Sequence, residues 1–201
     1  SWYICTVTTS SILQAPKSTE TIAAILHATL LVIAEGGIDA VTHRRVAARA
    51  GVSLSSTTYH FSNRNELIAR AFEHYIEQVR VRINQLDQHR PRNLGEVVDA
   101  VLSHAQWEFA DEALVRAEYE LILYSTRNDE VRELFLAWRR DEELRIAEGL
   151  EELGVAKPLR SARMLASTVR AFELERLSRG DVSFEELRER IELVVRALET
   201  R

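Results

Sequence analysis

The run Ser55-Ser56-Thr57-Thr58-Tyr59-His60 places hydroxyls and an imidazole side by side, with Arg44 shortly before it and Arg64 shortly after. Base edges and phosphate oxygens offer donors and acceptors, so hydroxyls, imidazoles and planar cations are the groups suited to meet them. So many small polar groups in sequence are poor material for a core. A second set stands further along: His104 and Glu108 four residues apart with Trp107 beside them, then Glu118, Tyr119 and Tyr124. A carboxylate on an otherwise apolar stripe is costly to bury unless it is paired. Arg116 or Arg170 could supply that pairing internally; an unpaired carboxylate in a pocket would instead favour a cationic or hydroxyl-bearing ligand.

Two segments must present the first set. Thr42 is a good N-cap for a helix over His43–Ala50, Gly51 ends it, and Ser53 can cap a second helix from Leu54 to about His60. Helix, Gly-Val-Ser turn and helix is the layout of a helix-turn-helix, whose second helix lies in the DNA major groove. Val46, Ala47, Ala50, Val52 and Phe61 are the apolar residues that would lock the pair together. Arg64, at the start of the next helix, stands where backbone N–H groups also favour a phosphate. Leu54 could meet a thymine methyl or simply staple the turn.

Helical periodicity dominates the rest. An apolar side of Ile22, Ile25, Leu26, Leu30 and Ile33 predicts a helix over Ser18–Glu35, stopped by Gly36-Gly37. Further helices are predicted over Arg64–Gln88, Leu94–Ala110, Leu114–Thr126, Asp129–Leu153, Leu159–Arg179 and from Ser183, with Glu186 completing a capping box, to about Glu199. The chain is therefore expected to be all-α. Residues 1–17 are read as an uncharged arm, 18–63 as the helix-turn-helix domain, and 64–201 as a helical bundle entered through a connecting helix over 64–88.

The totals agree. Of 201 residues 46% are hydrophobic and 28% charged, with seven Gly and three Pro, a globular and helix-rich composition. A single cysteine, Cys5, excludes an internal disulfide and a cysteine-rich zinc site and suits a reducing cytoplasm. No uncharged apolar run approaches the ~18 residues that would span a bilayer, so no membrane partner is expected. Net charge is −5, but Lys17–Tyr75 carries six basic and five acidic residues, so nucleic acid would prefer that segment. Enzyme chemistry finds no support. There is no Glu-x-x-His for a di-iron bundle, and His104 with Glu108 lacks the further ligands of a zinc site. A Gly-rich phosphate loop and a Gly-x-Ser-x-Gly elbow are also missing, and no cofactor is expected.

The segment Ile22–Leu67 resembles the DNA-binding domain of the TetR family of transcriptional regulators. The likeness is carried by "ILHATLLVIAEGG", Thr42, "VAARAGVS" over Val46–Ser53, "YHF" over Tyr59–Phe61 and "NRNEL" over Asn63–Leu67. Three positions depart from the family's habit. Thr58 stands where a phosphate-contacting tyrosine is usual, Arg64 replaces a lysine, and Thr21 and Ile22 stand where a basic residue often comes just before the helix-1 pattern. The resemblance implies DNA-facing roles for Thr42, His43, Arg44, Leu54, Ser55, Ser56, Thr58, Tyr59, His60 and Arg64. Of these, Tyr59 and His60 would meet phosphates.

It also implies a homodimer on a pseudo-palindromic operator in double-stranded DNA, released when a small-molecule effector enters the C-terminal bundle. His104, Trp107, Glu108, Glu118, Tyr119, Tyr124, Trp138 and Phe172 are the candidate pocket; Leu165, Val169 and Phe172, at helical spacing, are the candidate dimer face. The charged run Arg139–Glu143 is read as a solvated face. A helical adaptor working through protein partners is the competing class, and salt separates the two, because DNA binding falls steeply with ionic strength.

Overall fold

The computed structural model describes residues 17–86 and 90–199. The arm expected over 1–17 lies outside the described residues except for Lys17, as does the end of the connecting helix at Gln88. The chain is helical from one end of the described residues to the other: α1 (Lys17–Gly36), α2 (His43–Ala50), α3 (Leu54–His60), α4 (Arg64–Leu86), α5 (Leu94–Glu108), α6 (Glu112–Ser125), α7 (Asp129–Glu152), α8 (Pro158–Arg179) and α9 (Phe184–Glu199).

The boundaries follow from capping chemistry. Thr42 Oγ1 accepts from Arg45 N (3.1 Å) and Ser53 Oγ from Ser56 N (3.0 Å), giving α2 and α3 their starts. Gly51 closes α2 in the left-handed region at φ 69°, where a Cβ would be strained. Asn63 caps α4 through Glu66 N (3.0 Å), while the Glu66 carboxylate accepts from Ser62 N at 2.8 Å, a reciprocal box. Asn93 and Glu96 repeat the device at α5. The predicted helix over Leu94–Ala110 stops earlier, at Glu108. A 3-10 turn, Phe109–Asp111, follows it, and Asp111 leaves helical geometry at ψ 82°, so α6 begins two residues before Leu114.

Two cores organise the helices. The first joins Ile25, Leu30 and Ile33 of α1 to Val46, Phe61, Leu67 and Phe72, and continues into Ala117 and Leu121 of α6 and Val131 and Trp138 of α7. It therefore crosses the boundary expected at residue 64 without a break. The second joins Val98 and Leu102 of α5, Leu150 of α7, Leu165 and Phe172 of α8, and Leu187 and Ile191 of α9. Ser18–Gly36 is long and apolar enough, by length and composition, to cross a membrane. Here that apolarity has a partner inside the protein, since α1 packs on α4, α6 and α2.

Candidate nucleic-acid interface and bundle cavity

The α2–α3 pair has one buried side and one open side. Val46, Ala47, Thr57 and Phe61 are buried. Arg44, Ser55 and Thr58 are exposed, Leu54 is 44% exposed, and Tyr59 stands 84% exposed at the end of α3. Helical geometry explains the split, because Thr57 faces inward while its neighbours at one and two residues turn away. Ser56 and His60 are half-buried at the edge, the latter with its ring edge-on to Tyr59 at 5.0 Å. Thr58 Oγ1 donates back to Leu54 O (3.1 Å) and Ser55 O (3.2 Å), so its hydroxyl is occupied within α3.

Two residues expected to face DNA hold the fold instead. The Arg64 guanidinium donates to Ile38 O (2.6 Å) and Val41 O (3.1 Å) and pairs with Asp39 at 3.1 Å. It thereby ties the start of α4 to the turn before α2. His43 Nε2 lies 3.0 Å from Phe61 O, linking the start of α2 to the end of α3. Thr42 is exposed but occupied as a cap. Arg45 and Arg49 pair with Glu35, whereas Arg44 makes no ion pair among the described residues.

A cavity of about 200 Å³ lies inside the bundle between the two cores. Val97 and Val101 of α5, Ile146 and Leu150 of α7, and Leu165, Ala166 and Val169 of α8 make its apolar wall. At the other end stand His104, Glu108, Glu118, Trp138, Glu142, Arg170 and Glu173. Glu118 and Glu173 are each only 4% exposed. Neither makes an ion pair among the described residues, and the arginines considered as partners are engaged elsewhere. Arg116 pairs with Glu112 (2.6 Å) and Arg170 with Glu142 (3.2 Å).

The carboxyls are satisfied by hydrogen bonds. Tyr75 Oη donates to Glu118 Oε2 at 2.5 Å, Tyr119 Oη to Glu173 Oε2 at 2.6 Å, and His104 Nε2 lies 3.3 Å from Glu108 Oε1. Glu108 and Glu173 share a further hydrogen bond.

Charge is distributed accordingly. Burial, then the nearby Glu108 charge, pushes Glu118 up to about 8. The same two causes in the same order, with Glu118 added, raise Glu173 well above the carboxylate range. Burial also acts to raise Glu108, but the His104 imidazolium and hydrogen bonds from His104 and Glu173 outweigh it, so Glu108 is lowered. Burial opposes charge on His104, yet the adjoining Glu108 raises it overall. The cluster thus favours one ionised pair, Glu108 with His104, beside two carboxyls that hold their protons to higher pH than a free carboxylate does.

The rest of the expected pocket is dispersed. Trp107 stacks on His104 (6.0 Å, 19°) but faces a separate recess against α4, which it shares with Tyr75 and Glu108. Tyr119 reaches the cluster through Glu173 and through the Arg170 carbonyl, to which its hydroxyl also donates at 3.2 Å. Tyr124 bonds Asn65 (3.4 Å) on the first core, away from the cavity. Phe172 is fully enclosed by Phe109 and Phe184. The candidate dimer face fails for the same reason: Leu165 and Phe172 are buried within the chain and Val169 lines the cavity. The run Arg139–Glu143 also departs from expectation. Arg139 pairs with Glu142 (2.6 Å) and Glu143 (2.9 Å), all three largely shielded, and Arg163 and Arg170 of α8 join them.

Tyr75 and Glu173 were missed. A tyrosine on the buried face of α4, among Leu67, Ile68, Phe72 and Ile76, needs a partner for its hydroxyl. That requirement was the available signal. No group of three or more His, Cys, Asp or Glu side chains among the described residues could hold a metal.

Comparison with known proteins covers the chain in two parts. Residues 90–201 match the model described as the tetracyclin repressor-like C-terminal domain, and residues 25–71 the model of bacterial regulatory proteins of the tetR family. No curated protein matches. Solved structures do. A transcriptional regulator of Rhodococcus sp. Rha1 is 18% identical with a TM-score of 0.76, over 88% of this chain and 95% of that one. A TetR-family member of Streptomyces coelicolor A3 is 26% identical with a TM-score of 0.66, over 89% and 98%. A protein of Saccharomonospora viridis, solved in complex with choline, is 17% identical with a TM-score of 0.73, over 89% and 96%.

Proposed function

From the premise that this chain belongs to the TetR family of DNA-binding transcriptional regulators, we propose that it is a repressor that binds a pseudo-palindromic operator as a homodimer and leaves it when a small molecule enters the bundle cavity. The observation that carries this reading is the two-sided α2–α3 pair: an inner side in the first core, and an outer side of Arg44, Leu54, Ser55, Thr58 and Tyr59 left exposed. In this reading α3 enters the major groove, Tyr59 and His60 approach phosphates at its end, and Arg44 reaches the backbone from α2. Such a protein works where the chromosome is, in the cytoplasm.

The pairing face is the outer side of α8 and α9 rather than the residues read from periodicity. Met164, Ser167, Ala171 and Leu174 follow at intervals of three, four and three on α8, and Leu193 of α9 lies 65% exposed across a shallow groove from Ser167 and Ala171. Small residues flanked by exposed leucines let two helix pairs approach closely as a four-helix seam. Two-fold pairing would set the recognition helices about 34–36 Å apart, one turn of DNA.

The cavity is small beside the roughly 300–1,000 Å³ usual for drug-sized ligands, so the effector is a compact molecule. Its route to DNA is short, because the lining helix α6 packs on α1 and Ile83 of α4 borders the same space. Selection of bound duplexes from a random library, then titration of the winner at two salt concentrations, tests the reading. An inverted repeat with salt-sensitive affinity supports it. A folded dimer that enriches no sequence refutes it in favour of the adaptor class.

A further inference from the structure

The cavity's two ends differ in kind. One is an aliphatic wall; the other is a cluster of carboxyls buried to the degree of core leucines, two of them without any ion pair among the described residues. Burying a carboxyl is expensive, and a fold that needed only to fill space would place apolar groups there at no such cost. Two further polar atoms at this end are buried without a hydrogen-bond partner, His104 Nδ1 and Arg170 Nε, both on cavity-lining residues. Orphaned polar atoms in a built cavity are places where a ligand's own polar groups can complete the network.

Resting on the effector reading above, we propose that the cavity takes a small organic ammonium ion, its charged head among Glu108, Glu118 and Glu173 and its carbon skeleton along Val97, Val101, Leu165 and Val169, and that its arrival moves Glu118 together with the Tyr75 hydroxyl bound to it.

Several features support a cation over other ligands. An anion would stand against the ionised Glu108 and could gain nothing from Glu118 or Glu173, whereas a cation is attracted by Glu108 and by either of the other two once it gives up its proton. Of the cationic side chains on the lining, His104 is paired with Glu108, Arg170 with Glu142 and Arg90 with Glu152, and Arg145 makes no ion pair among the described residues. Trp138 lies at the same end, an aromatic face suited to a quaternary or primary ammonium. A polar group elsewhere on the ligand, such as a hydroxyl, would answer Arg170 Nε.

Glu118 is the link to the DNA-binding half. It sits on α6, opens onto the cavity, and receives the hydroxyl of Tyr75 on α4, the helix that follows the α2–α3 pair. The groups that face it are Tyr75 from α4, His104 and Glu108 from α5, Tyr119 from its own helix, Glu142 from α7, and Arg170 and Glu173 from α8. A cation that replaces the proton on Glu118 expels that proton to solvent and turns a neutral acid into a carboxylate drawn toward the ligand. A carboxylate accepts from the Tyr75 hydroxyl more strongly than the acid does, so Tyr75 follows Glu118 and the movement reaches α4.

The test is calorimetric titration of the full-length chain with choline and n-hexylamine. Their neutral counterparts 3,3-dimethylbutan-1-ol and hexan-1-ol, and hexanoate, are run in parallel, each at pH 6 and pH 8 in two buffers of different ionisation enthalpy. The expected result is binding of one or both cations at least tenfold tighter than the matched alcohol. Hexanoate should give no binding. Affinity should rise from pH 6 to pH 8, and the heat should follow the buffer, as proton release requires.

Glu118→Gln should weaken the cation at least tenfold while the chain stays folded by circular dichroism. Tyr75→Phe should retain cation binding and DNA affinity but lose most of the cation's effect on that affinity. Alcohols binding as well as amines, hexanoate binding instead, or no cation binding up to 10 mM would each overturn the proposal. Because cation binding itself is read as heat, its failure leaves the operator reading to stand or fall by duplex selection.

Discussion

Replacing Glu118 by glutamine should change how stability depends on pH more than it changes stability at any one pH. Glutamine is close in shape to the protonated acid and still offers an oxygen to the Tyr75 hydroxyl, whose 2.5 Å bond is the main polar contact of Glu118. Glu118 is held at about 8 against an ordinary value of 4.5. Between those values the folded chain carries a proton that the unfolded chain has lost, so stability falls as pH rises across the window. Each pH unit there is worth about 1.4 kcal/mol. From pH 5 to pH 7 the wild type should therefore lose about 2–3 kcal/mol that the glutamine variant keeps.

Glu173 and His104 are also raised and act in the same direction, but they titrate in both proteins and largely cancel in the difference. For a chain of this size the gap corresponds to a melting difference on the order of 5–10 °C. The assay is urea unfolding followed at 222 nm, at fixed protein concentration, for both proteins from pH 5 to pH 8. The two curves should diverge steadily with pH, the variant becoming the more stable. Parallel curves would mean that Glu118 titrates as an ordinary carboxylate. A variant that loses ground with pH would mean that the buried group is held as an anion. Either would refute the reasoning.

Other substitutions separate roles that the sequence could not. Tyr59→Ala and Arg44→Ala should each weaken operator binding about tenfold with unfolding unchanged, and Arg44→Ala should reduce the salt slope by about one, the signature of a lost phosphate contact; gel-shift titration at two salt concentrations reads both. Arg64→Ala should instead cost about 1–3 kcal/mol in urea unfolding, because it orphans the Ile38 and Val41 carbonyls. Leu193→Glu should yield folded monomers in sedimentation velocity. Phe172→Ala should cost about 3–5 kcal/mol in the same unfolding assay, as large core truncations do, without selectively dissociating the dimer.

What was legible in the sequence was local. Thr42, Gly51 and Ser53 act on their own neighbours within three residues, so α2 and α3 fall on the expected residues. The polar run over 55–60 reads only in part as an outer face: Ser55, Thr58 and Tyr59 are exposed, but Thr57 is buried, because helical spacing turns one residue of the run inward. Contacts between distant segments were not legible. Arg64 reads as a phosphate ligand until Ile38 and Val41 are seen to reach it across more than twenty residues. Likewise Leu165, Val169 and Phe172 form a regular stripe, but a stripe does not state whether it faces its own bundle or a second copy. Glu108 and Glu118 were recognisable as anomalies on apolar helices, while their actual neighbours, Tyr75 and Glu173, come from helices four positions apart in chain order.

The first core has a further meaning for how such proteins can be recombined. Because Ile25, Leu30 and Ile33 are closed over by Ala117 and Leu121, a transplant of residues 18–63 onto another sensor would arrive with an open apolar flank that its new host was not shaped to cover. A chimera joined at residue 64 inherits DNA contacts but not the lid that makes them a folded unit. The workable graft includes the inner face of α6, which means that part of the sensor travels with the reader.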